Sequence, residues 1–245
     1  MTSRSIRILS AGLLSAAYAA AAPSGGTPLS GDVSGFLSAD RSPYIAQNTL
    51  VVPQNKALVI GAGVTIRFLP GTGLDVQDGS LAIGGEGGAP VILTAAQKGS
   101  PWNGISVTGS RRANLQQAQI QGALNGLSVE NGEADVNGVS FEDCASRGIY
   151  VKAGKVSIAD AKFRHTAGTA LQAASGAEVQ ITKSSFGENH IAVTAGQKTD
   201  VSIAFSELAR NDYGILNIGG NQLRISKSTV SGNGIGFLSS EIPPQ

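Results

Sequence analysis

Residues 148–163, GIYVKAGKVSIADAKF, contain two alternating apolar segments, GIYV and VSI, and end on Phe163. The first segment recurs with a 22-residue spacing, and each copy begins with a small residue that an apolar residue follows. Those small residues are Gly104, Gly126, Gly148, Ala170, Ala192, Gly214 and Gly236. Alternation with a period of two predicts a short strand with one buried face in every repeat.

A second strand recurs inside each repeat, and a large apolar residue follows it. Its inward pairs are Ala113/Leu115, Ala134/Val136, Val156/Ile158, Val179/Ile181, Val201/Ile203 and Leu223/Ile225. The large residues that follow are Ile120, Phe141, Phe163, Phe186, Leu208 and Val230. This second set slips by one residue between Phe163 and Phe186, as a loop insertion at a corner would produce.

Strands that return at a fixed 22-residue spacing stack above one another, so we expect the chain to wind as a parallel solenoid and not to fold into hairpins. The N-terminal half has a 23-residue spacing, seen in Leu58 and Leu81 and in Phe68 and Val91. Parallel crossovers are nearly always right-handed. The sequence therefore predicts an all-β, single-stranded right-handed parallel β-helix over residues 44–240, with about nine coils of about 22 residues and a length of about 40 Å.

Residues 1–19 are predicted to be a signal peptide. Arg4 and Arg7 precede an apolar run, residues 8–17, that is too short to span a bilayer. Ala19 ends a small-x-small cleavage motif, and cleavage in the alanine run up to Ala22 is the alternative. We expect residues 20–43 to form a linker or cap and residues 241–245 a C-terminal tail. The product would be exported to the periplasm, the cell surface or the medium, without a transmembrane segment.

Charge and cysteine content limit the possible partners and the sources of stability. Without Arg4 and Arg7 the chain has 16 basic residues against 17 acidic ones, which argues against a nucleic-acid partner bound through bulk charge. Cys144 is the only cysteine, so no internal disulfide can form. The sequence gives no reason to expect a metal ion or another cofactor.

The chain resembles the pectate-lyase-like right-handed parallel β-helix superfamily over nearly all of its length after the signal peptide. The G-I/L-x-V strands and the V-x-I-x-x-x-x-F segments carry this resemblance. The stretches VTIRFLPG at 64–71 and WNGI at 102–105 resemble the opening coils of uncharacterised exported bacterial β-helix repeat proteins. The resemblance implies the fold but no single function, because the superfamily includes lyases, hydrolases, epimerases and non-enzymatic adhesins.

Stacked coils turn equivalent positions into ladders of side chains. One ladder consists of Cys144, Thr166, Asn189, Asn211 and Asn233. Similar asparagine ladders hold corners in the superfamily, so a structural role is expected, with Cys144 buried. Two further ladders are charged: Asp143, His165, Glu188 and Arg210 in one, and Glu133, Lys155, Glu178 and Asp200 in the other. We interpret both as solvated ion pairs, and a surface site at the first ladder is the alternative.

The outward positions of the GIYV strands and a nearby corner hold a candidate ligand-binding cluster. It consists of Glu130, Asp143, Arg147, Tyr150, Lys152 and His165. Tyr150 is suited to stack on a sugar, and Arg147 or Lys152 to meet an acidic group. No catalytic constellation is recognisable, although a polysaccharide lyase would have to use Lys152, His165 and Arg147. An ordinary solvated face is the competing interpretation.

The same face becomes apolar near its end, at Leu216, Ile218 and Leu238. Such a patch is typical of a partner surface, unless the C-terminal tail covers it. Three functions fit the sequence: an exported non-catalytic scaffold of the cell envelope or medium that binds partners such as glycans, a polysaccharide lyase or related carbohydrate-active enzyme, and a subunit that docks on a protein or self-associates. We favour the first, because the ionisable residues form no catalytic set.

Overall fold

The computed structural model describes residues 25–84, 88–109 and 112–240. The predicted signal peptide and C-terminal tail lie outside the described residues. The described chain forms twenty-five strands and one 3-10 helix, Ala39–Arg41. None of its helices is long and apolar enough to cross a membrane.

The strands are short and follow one another closely along the chain. The first eleven are β1 (Thr27–Asp32), β2 (Gly35–Leu37), β3 (Tyr44–Val52), β4 (Ala57–Ile60), β5 (Thr65–Phe68), β6 (Gly73–Gln77), β7 (Ser80–Ile83), β8 (Val91–Ala95), β9 (Gly104–Thr108), β10 (Arg112–Gln116) and β11 (Ala118–Gln121). The next seven are β12 (Asn125–Asn137), β13 (Ser140–Glu142), β14 (Arg147–Ala159), β15 (Lys162–Arg164), β16 (Thr169–Ala173), β17 (Ala177–Thr182) and β18 (Ser185–Gly187). The last seven are β19 (Ile191–Ala195), β20 (Asp200–Ala204), β21 (Glu207–Ala209), β22 (Tyr213–Ile218), β23 (Gln222–Ser226), β24 (Thr229–Ser231) and β25 (Ile235–Ser240).

Each strand pairs in parallel with the strand one coil away, so the chain winds as a solenoid of about nine coils with three faces. Face I contains β5, β8, β11, β13, β15, β18, β21 and β24. Face II contains β6, β9, β16, β19, β22 and β25. Face III contains β2, β4, β7, β10, β17, β20 and β23. The longer strands pass round a corner: β1 and β3 join faces I and II, whereas β12 and β14 join faces II and III. The predicted parallel solenoid is confirmed.

Face II shows the 22-residue register most directly. One inward column is formed by Ile105, Leu127, Ile149, Leu171, Val193, Ile215 and Phe237, each opposite the next. All of them are fully buried except Phe237, which lies in the last coil and is 52% exposed. The alternation seen in the sequence therefore marks the core-facing side of each strand.

Aromatic side chains stack along the axis of the core. The rings of Phe141, Phe163 and Phe186 lie parallel, with centroids 5.0 and 4.4 Å apart. Nearer the N-terminus, Phe68 and Trp102 stack at 4.0 Å. Each such pair contributes about 0.5–1.5 kcal/mol beyond the burial of its surface.

The predicted one-residue slip is a local adjustment at two corners. Thr169 lies opposite Arg147, which keeps the 22-residue register, but Ala177 lies opposite Gly154, which is one residue out of it. The extra residue therefore enters between β16 and β17. The original register returns at β19, where Ile191 lies opposite Thr169.

The expected equivalence of Phe68 and Val91 is wrong. Phe68 lies opposite Ala95, and Ile66 lies opposite Leu93. The chain between β7 and β8 adds residues to this coil, so a constant 23-residue spacing does not hold on face I.

Two strands lie within residues 20–43, the segment predicted as a linker or cap. β1 pairs with β3, and β2 pairs with β4, so the solenoid begins at Thr27. Leu29, Val33 and Leu37 pack against the core from this first coil. The described part of the segment therefore covers the apolar end of the stack with a coil of its own.

Candidate functional site

The corner between faces I and II is built from a buried asparagine ladder. Asn189 Nδ2 donates to the carbonyl oxygens of Phe163 and Gly187, both at 3.1 Å. Asn211 makes the equivalent bonds one coil further on. The backbone N–H of Thr166 donates to Asn189 Oδ1 at 3.0 Å. These bonds satisfy the backbone groups that the turn leaves unpaired, which is the structural role expected of the ladder.

Cys144 continues the asparagine column at the other end and is completely buried. Burial raises the pKa of its thiol to about 12. Because the thiolate is the reactive form, this cysteine is an inert core residue and not a nucleophile.

The residue before each ladder position adopts a left-handed backbone conformation and points into solvent. Asp143, His165, Glu188 and Arg210 all have φ between 54° and 60°. His165 Nδ1 lies 3.5 Å from Asp143 Oδ1, and its Nε2 lies 2.9 Å from Glu188 Oε2. Arg210 Nε donates to Glu188 Oε1 at 3.3 Å. Hydrogen bonds from His165 and Arg210 lower the pKa of Glu188. The column is a chain of exposed polar contacts between alternating basic and acidic side chains.

The second charged ladder lies on face III and has more members than the sequence indicated. Lys155 Nζ lies 3.4 Å from Glu178 Oε2. Arg112 joins the ladder at one end, with Nη2 2.8 Å from Glu133 Oε2, and Arg224 pairs with Asp200 at the other. Both arginines lie on repeating strands of face III, so the repeat pattern in the sequence could have identified them.

Lys152 and Glu130 lie on adjacent coils of face II and form an ion pair. The hydrogen bond from Lys152 to Glu130 raises the pKa of the lysine. A lysine in this state stays protonated at neutral pH, so Lys152 is poorly suited to act as a general base.

Arg147 is held at the edge of face II by three neighbouring side chains. Its Nε donates to Gln172 Oε1 at 2.5 Å, and Nη1 donates to Asn125 Oδ1 at 3.4 Å. The guanidinium carbon lies 4.8 Å from the centroid of the Tyr150 ring. In the described chain no carboxylate lies within 4.0 Å of its guanidinium nitrogens. Among the described residues, Arg147 is therefore an oriented cation without a carboxylate partner.

The structure brings the six predicted ligand-binding residues together as three pairs. These are Arg147 with Tyr150, Lys152 with Glu130, and His165 with Asp143. No hydrogen bond or ion pair within the described ranges joins the three catalytic candidates Arg147, Lys152 and His165 to one another. Asn125 and Gln172 were missed, because uncharged amides on an exposed strand give no signal in the sequence.

The predicted apolar patch lies at the C-terminal end of face II. Leu216 and Leu238 are opposite each other on adjacent coils, and Leu238 is 42% exposed. Leu216 and Ile218 are half-buried. A parallel outward column is formed by Ile191, Tyr213 and Ile235. We refer to these six residues as the apolar strip.

Thr194 lies between the apolar strip and the polar part of face II. It is opposite Gln172 on one side and Leu216 on the other. The residue is 4% exposed, and its Oγ1 has no hydrogen-bond partner in the described ranges. A buried hydroxyl without a partner is uncommon and costs about 1–3 kcal/mol.

A shallow groove also lies at the corner between faces I and II. Residues 98–101, Gln121 and Asp143 are among the residues that line it. Neither the groove nor the ladders gather metal ligands: no group of three or more His, Cys, Asp or Glu suited to a metal ion occurs in the part of the chain that the structure describes.

Comparisons with known proteins bear on the fold and leave the ligand open. No curated protein matches the chain. The family model described as the right handed beta helix region matches residues 98–241, which is more than half of the chain. This match agrees with the predicted handedness and with the observed parallel register of faces I, II and III. The chain therefore belongs to the right-handed β-helix family.

Proposed function

We propose that this β-helix protein is an exported, non-catalytic scaffold that binds an acidic glycan on face II. The observation that carries the proposal is the state of Arg147, which is oriented by Asn125, Tyr150 and Gln172 but faces no carboxylate within the part of the chain that the structure describes. The ladder cations Arg112, Lys155 and Arg210 are paired, so they have less to offer an anionic ligand. A planar guanidinium recognises a carboxylate through two parallel hydrogen bonds.

The centre of face II offers hydrogen-bonding groups beside Arg147. An outward column of half-buried side chains runs along the stack: Ser106, Ser128, Tyr150 and Gln172. It spans three coil spacings, or about 14 Å. Hydroxyl and amide groups at regular intervals suit a ligand rich in hydroxyls. Arg147 already covers one face of the Tyr150 ring. We therefore expect a sugar to contact the exposed edge of the Arg147–Tyr150 pair and not the covered face of the ring.

The chemistry of the candidate catalytic residues supports binding without turnover. Lys152 is held protonated by Glu130. His165 is engaged by carboxylates on both sides, at a corner, and has no contact with Lys152 or Arg147. A lyase needs a base and a carboxylate-neutralising group on the same substrate carbon, and these residues do not supply that arrangement.

The test is binding of the full mature chain to an array of acidic and neutral glycans, followed by titration of each bound oligosaccharide. Arg147→Gln should weaken binding of an acidic oligosaccharide by about tenfold or more, since a charge-assisted bond contributes about 1.5–3 kcal/mol. Arg112→Gln, which removes a paired arginine from face III, is the matched control and should leave the affinity unchanged. Equal loss in both variants, or no binding to any acidic glycan, would refute the proposal.

The same samples distinguish the enzymatic alternative. Absorbance of unsaturated products is followed on every acidic polysaccharide that binds. Rising absorbance that Lys152→Ala abolishes would make the protein a lyase, whereas binding with constant absorbance supports the scaffold.

Export rests on the N-terminal segment with Arg4, Arg7 and the Ala17-Tyr18-Ala19 motif. We expect the protein in the periplasmic, surface or medium fraction, with an intact mass that corresponds to a chain beginning at Ala20. A cytoplasmic protein that retains Met1 would contradict this part of the proposal.

A further inference from the structure

We propose that the ligand of face II is an acylated acidic saccharide, with its anionic sugar over Arg147 and its acyl chain along the apolar strip. This inference rests on the proposed function and adds the chemical class of the ligand. Three features support it. The polar zone around Arg147 and the apolar strip are continuous on face II, Arg147 carries a positive charge at one end of this surface, and the strip has the size of a single chain.

The two zones share the same columns of side chains. Arg147 and Tyr213 occupy one outward column, and Tyr150 and Leu216 occupy the next. Three coil spacings, or about 14 Å, separate Arg147 from Tyr213 along the stack. A single extended ligand that lies parallel to the solenoid axis therefore contacts the guanidinium first and the apolar strip next.

The apolar strip contrasts with the other faces at the same coils. Face III carries Asp200 and Arg224 there, and face I carries Glu207. On β19, β22 and β25 of face II no side chain is charged. Parallel sheets are normally covered on both sides, so an exposed apolar face of this kind suits an apolar ligand.

The charges that adjoin the strip differ in whether they are already paired. At the neighbouring corner His190 Nδ1 lies 2.8 Å from Asp212 Oδ2, so these two groups engage each other. Arg147 lies in the same column as Tyr213, three coils nearer the N-terminus, and has no carboxylate partner in the described chain. Its free positive charge selects an anionic group for that end of the ligand.

The size of the strip selects a chain and not a protein. It extends about 20 Å along the strand direction, which is the length of one strand, and about 10 Å along the solenoid axis, which is two coil spacings. Its area is therefore about 200 Å². A stable protein interface buries about 800 Å² on each partner. A second copy of this chain or another globular protein would leave most of its contact outside the strip, whereas an acyl chain fits within it.

Thr194 marks the junction between the two zones. Its hydroxyl is buried and has no hydrogen-bond partner among the described residues. This hydroxyl is not exposed at the surface, so the ligand would pass over this coil without a hydrogen bond to it.

The experiment compares two probes on the full mature chain. One is a galacturonic acid trisaccharide, and the other is the same trisaccharide with a dodecyl chain at its reducing end, used below its micelle concentration. We expect the dodecyl chain to tighten binding by about tenfold or more, because each buried methylene adds to the affinity. Leu216→Asn should remove this gain and keep the affinity for the unmodified trisaccharide. Arg147→Gln should weaken both probes equally.

Two controls keep the result interpretable. Val59→Asn alters an exposed apolar residue on face III and should change neither affinity. Leu238→Asn lies in the strip at a more exposed position, and it serves if Leu216→Asn fails to fold.

The outcomes separate the two proposals. If both probes bind equally well, or if the gain survives in both leucine variants, the inference is wrong and the proposed function stands. If neither probe binds, the inference is wrong, and the glycan array decides the proposed function separately. If an uncharged dodecyl maltoside binds as tightly as the acidic dodecyl probe, the coupling of the strip to Arg147 is refuted.

Discussion

Asn189 and Asn211 lie one above the other on adjacent coils, and a single oxygen atom of Asn211 accepts two hydrogen bonds from Asn189. The backbone N–H and the Nδ2 of Asn189 both donate to Oδ1 of Asn211, each at 3.0 Å. Asn211 repeats the arrangement with Asn233 at 2.9 Å. Each amide therefore holds its own turn and the turn of the preceding coil, and neighbouring coils are locked in register at this corner.

The ladder can be extended by one residue. Thr166 occupies the next position, and its buried Oγ1 has no hydrogen-bond partner in the part of the chain that the structure describes. Asparagine there would place Nδ2 near the carbonyl oxygens of Phe141 and Arg164, as Asn189 does one coil later. We expect Thr166→Asn to raise the free energy of unfolding by about 1–2 kcal/mol, measured by urea denaturation.

Thr166→Val is the matched control for this prediction. It removes the unpaired hydroxyl without adding a donor, so any stabilisation should be smaller than that of the asparagine variant. An asparagine variant that is no more stable than the valine variant would show that the ladder bonds make no net contribution.

Gly104 is required by its backbone conformation and by a close contact. Its φ is +100°, and a Cβ would lie 1.5 Å from the carbonyl oxygen of Asn125 on the next coil. We expect Gly104→Ala to destabilise the protein by roughly 2–4 kcal/mol, since a shift of packed backbone adds to the conformational strain.

Gly71 distinguishes the effect of backbone strain from the effect of the close contact. It has a φ of +73°, but a Cβ at this position would meet open space. Gly71→Ala should cost only about 1 kcal/mol. Equal losses of thermal stability in both alanine variants would mean that the contact with Asn125 relaxes at no cost.

Asp75 makes the free energy of unfolding fall as pH rises, whereas a paired carboxylate makes it increase. Burial raises the pKa of its side chain. Between the unfolded and the folded pKa the unfolded chain has lost a proton that the native chain still holds, so stability falls as pH rises through this window. Asp75→Asn should therefore be more stable than the natural protein at pH 7, and this difference should vanish below about pH 4. Urea titrations at pH 7 and pH 3 measure it, and a constant difference would contradict the prediction.

Cys144 should be chemically silent in the folded protein. Its burial and its thiol pKa of about 12 leave no accessible thiolate at pH 8. We expect no reaction with an aromatic disulfide reagent under native conditions and complete reaction in urea. The reaction is measured by the release of the reagent's aromatic thiolate. Rapid labelling of the native protein would mean that the corner opens at Cys144.

Ladder positions were predictable because a strand has only two sides. Once Ile149 and Val151 face the core, Tyr150 and Lys152 must face outward, and the 22-residue repeat places Gln172 and Thr194 in the same column as Tyr150. The asparagine corner followed from the same arithmetic. The equivalence of Phe68 and Val91 failed because an added connection changes the spacing of a coil without changing the apolar pattern on either side.

The pairing of charges could not be predicted in this way. Arg147 and Lys152 are both outward cations on β14, yet Lys152 pairs with Glu130 and Arg147 turns to Gln172 and Tyr150. Long side chains reach several neighbours at distances close to the coil spacing of about 4.8 Å, so their choice depends on the shape of the corner from which each begins.

The amino-acid sequence by itself determined the all-β class, the parallel stacking, and the coil length and columns of face II from Gly104 onward, because alternation and a repeated spacing are local properties that burial must obey. The tertiary structure alone decided that the described solenoid begins at Thr27, that Arg112 and Arg224 pair with the two ends of the ladder on face III, and that Arg147, in the same column as the apolar strip, has no carboxylate partner among the described residues. These facts depend on distances between side chains of different coils, and such distances exist only once the coils are stacked.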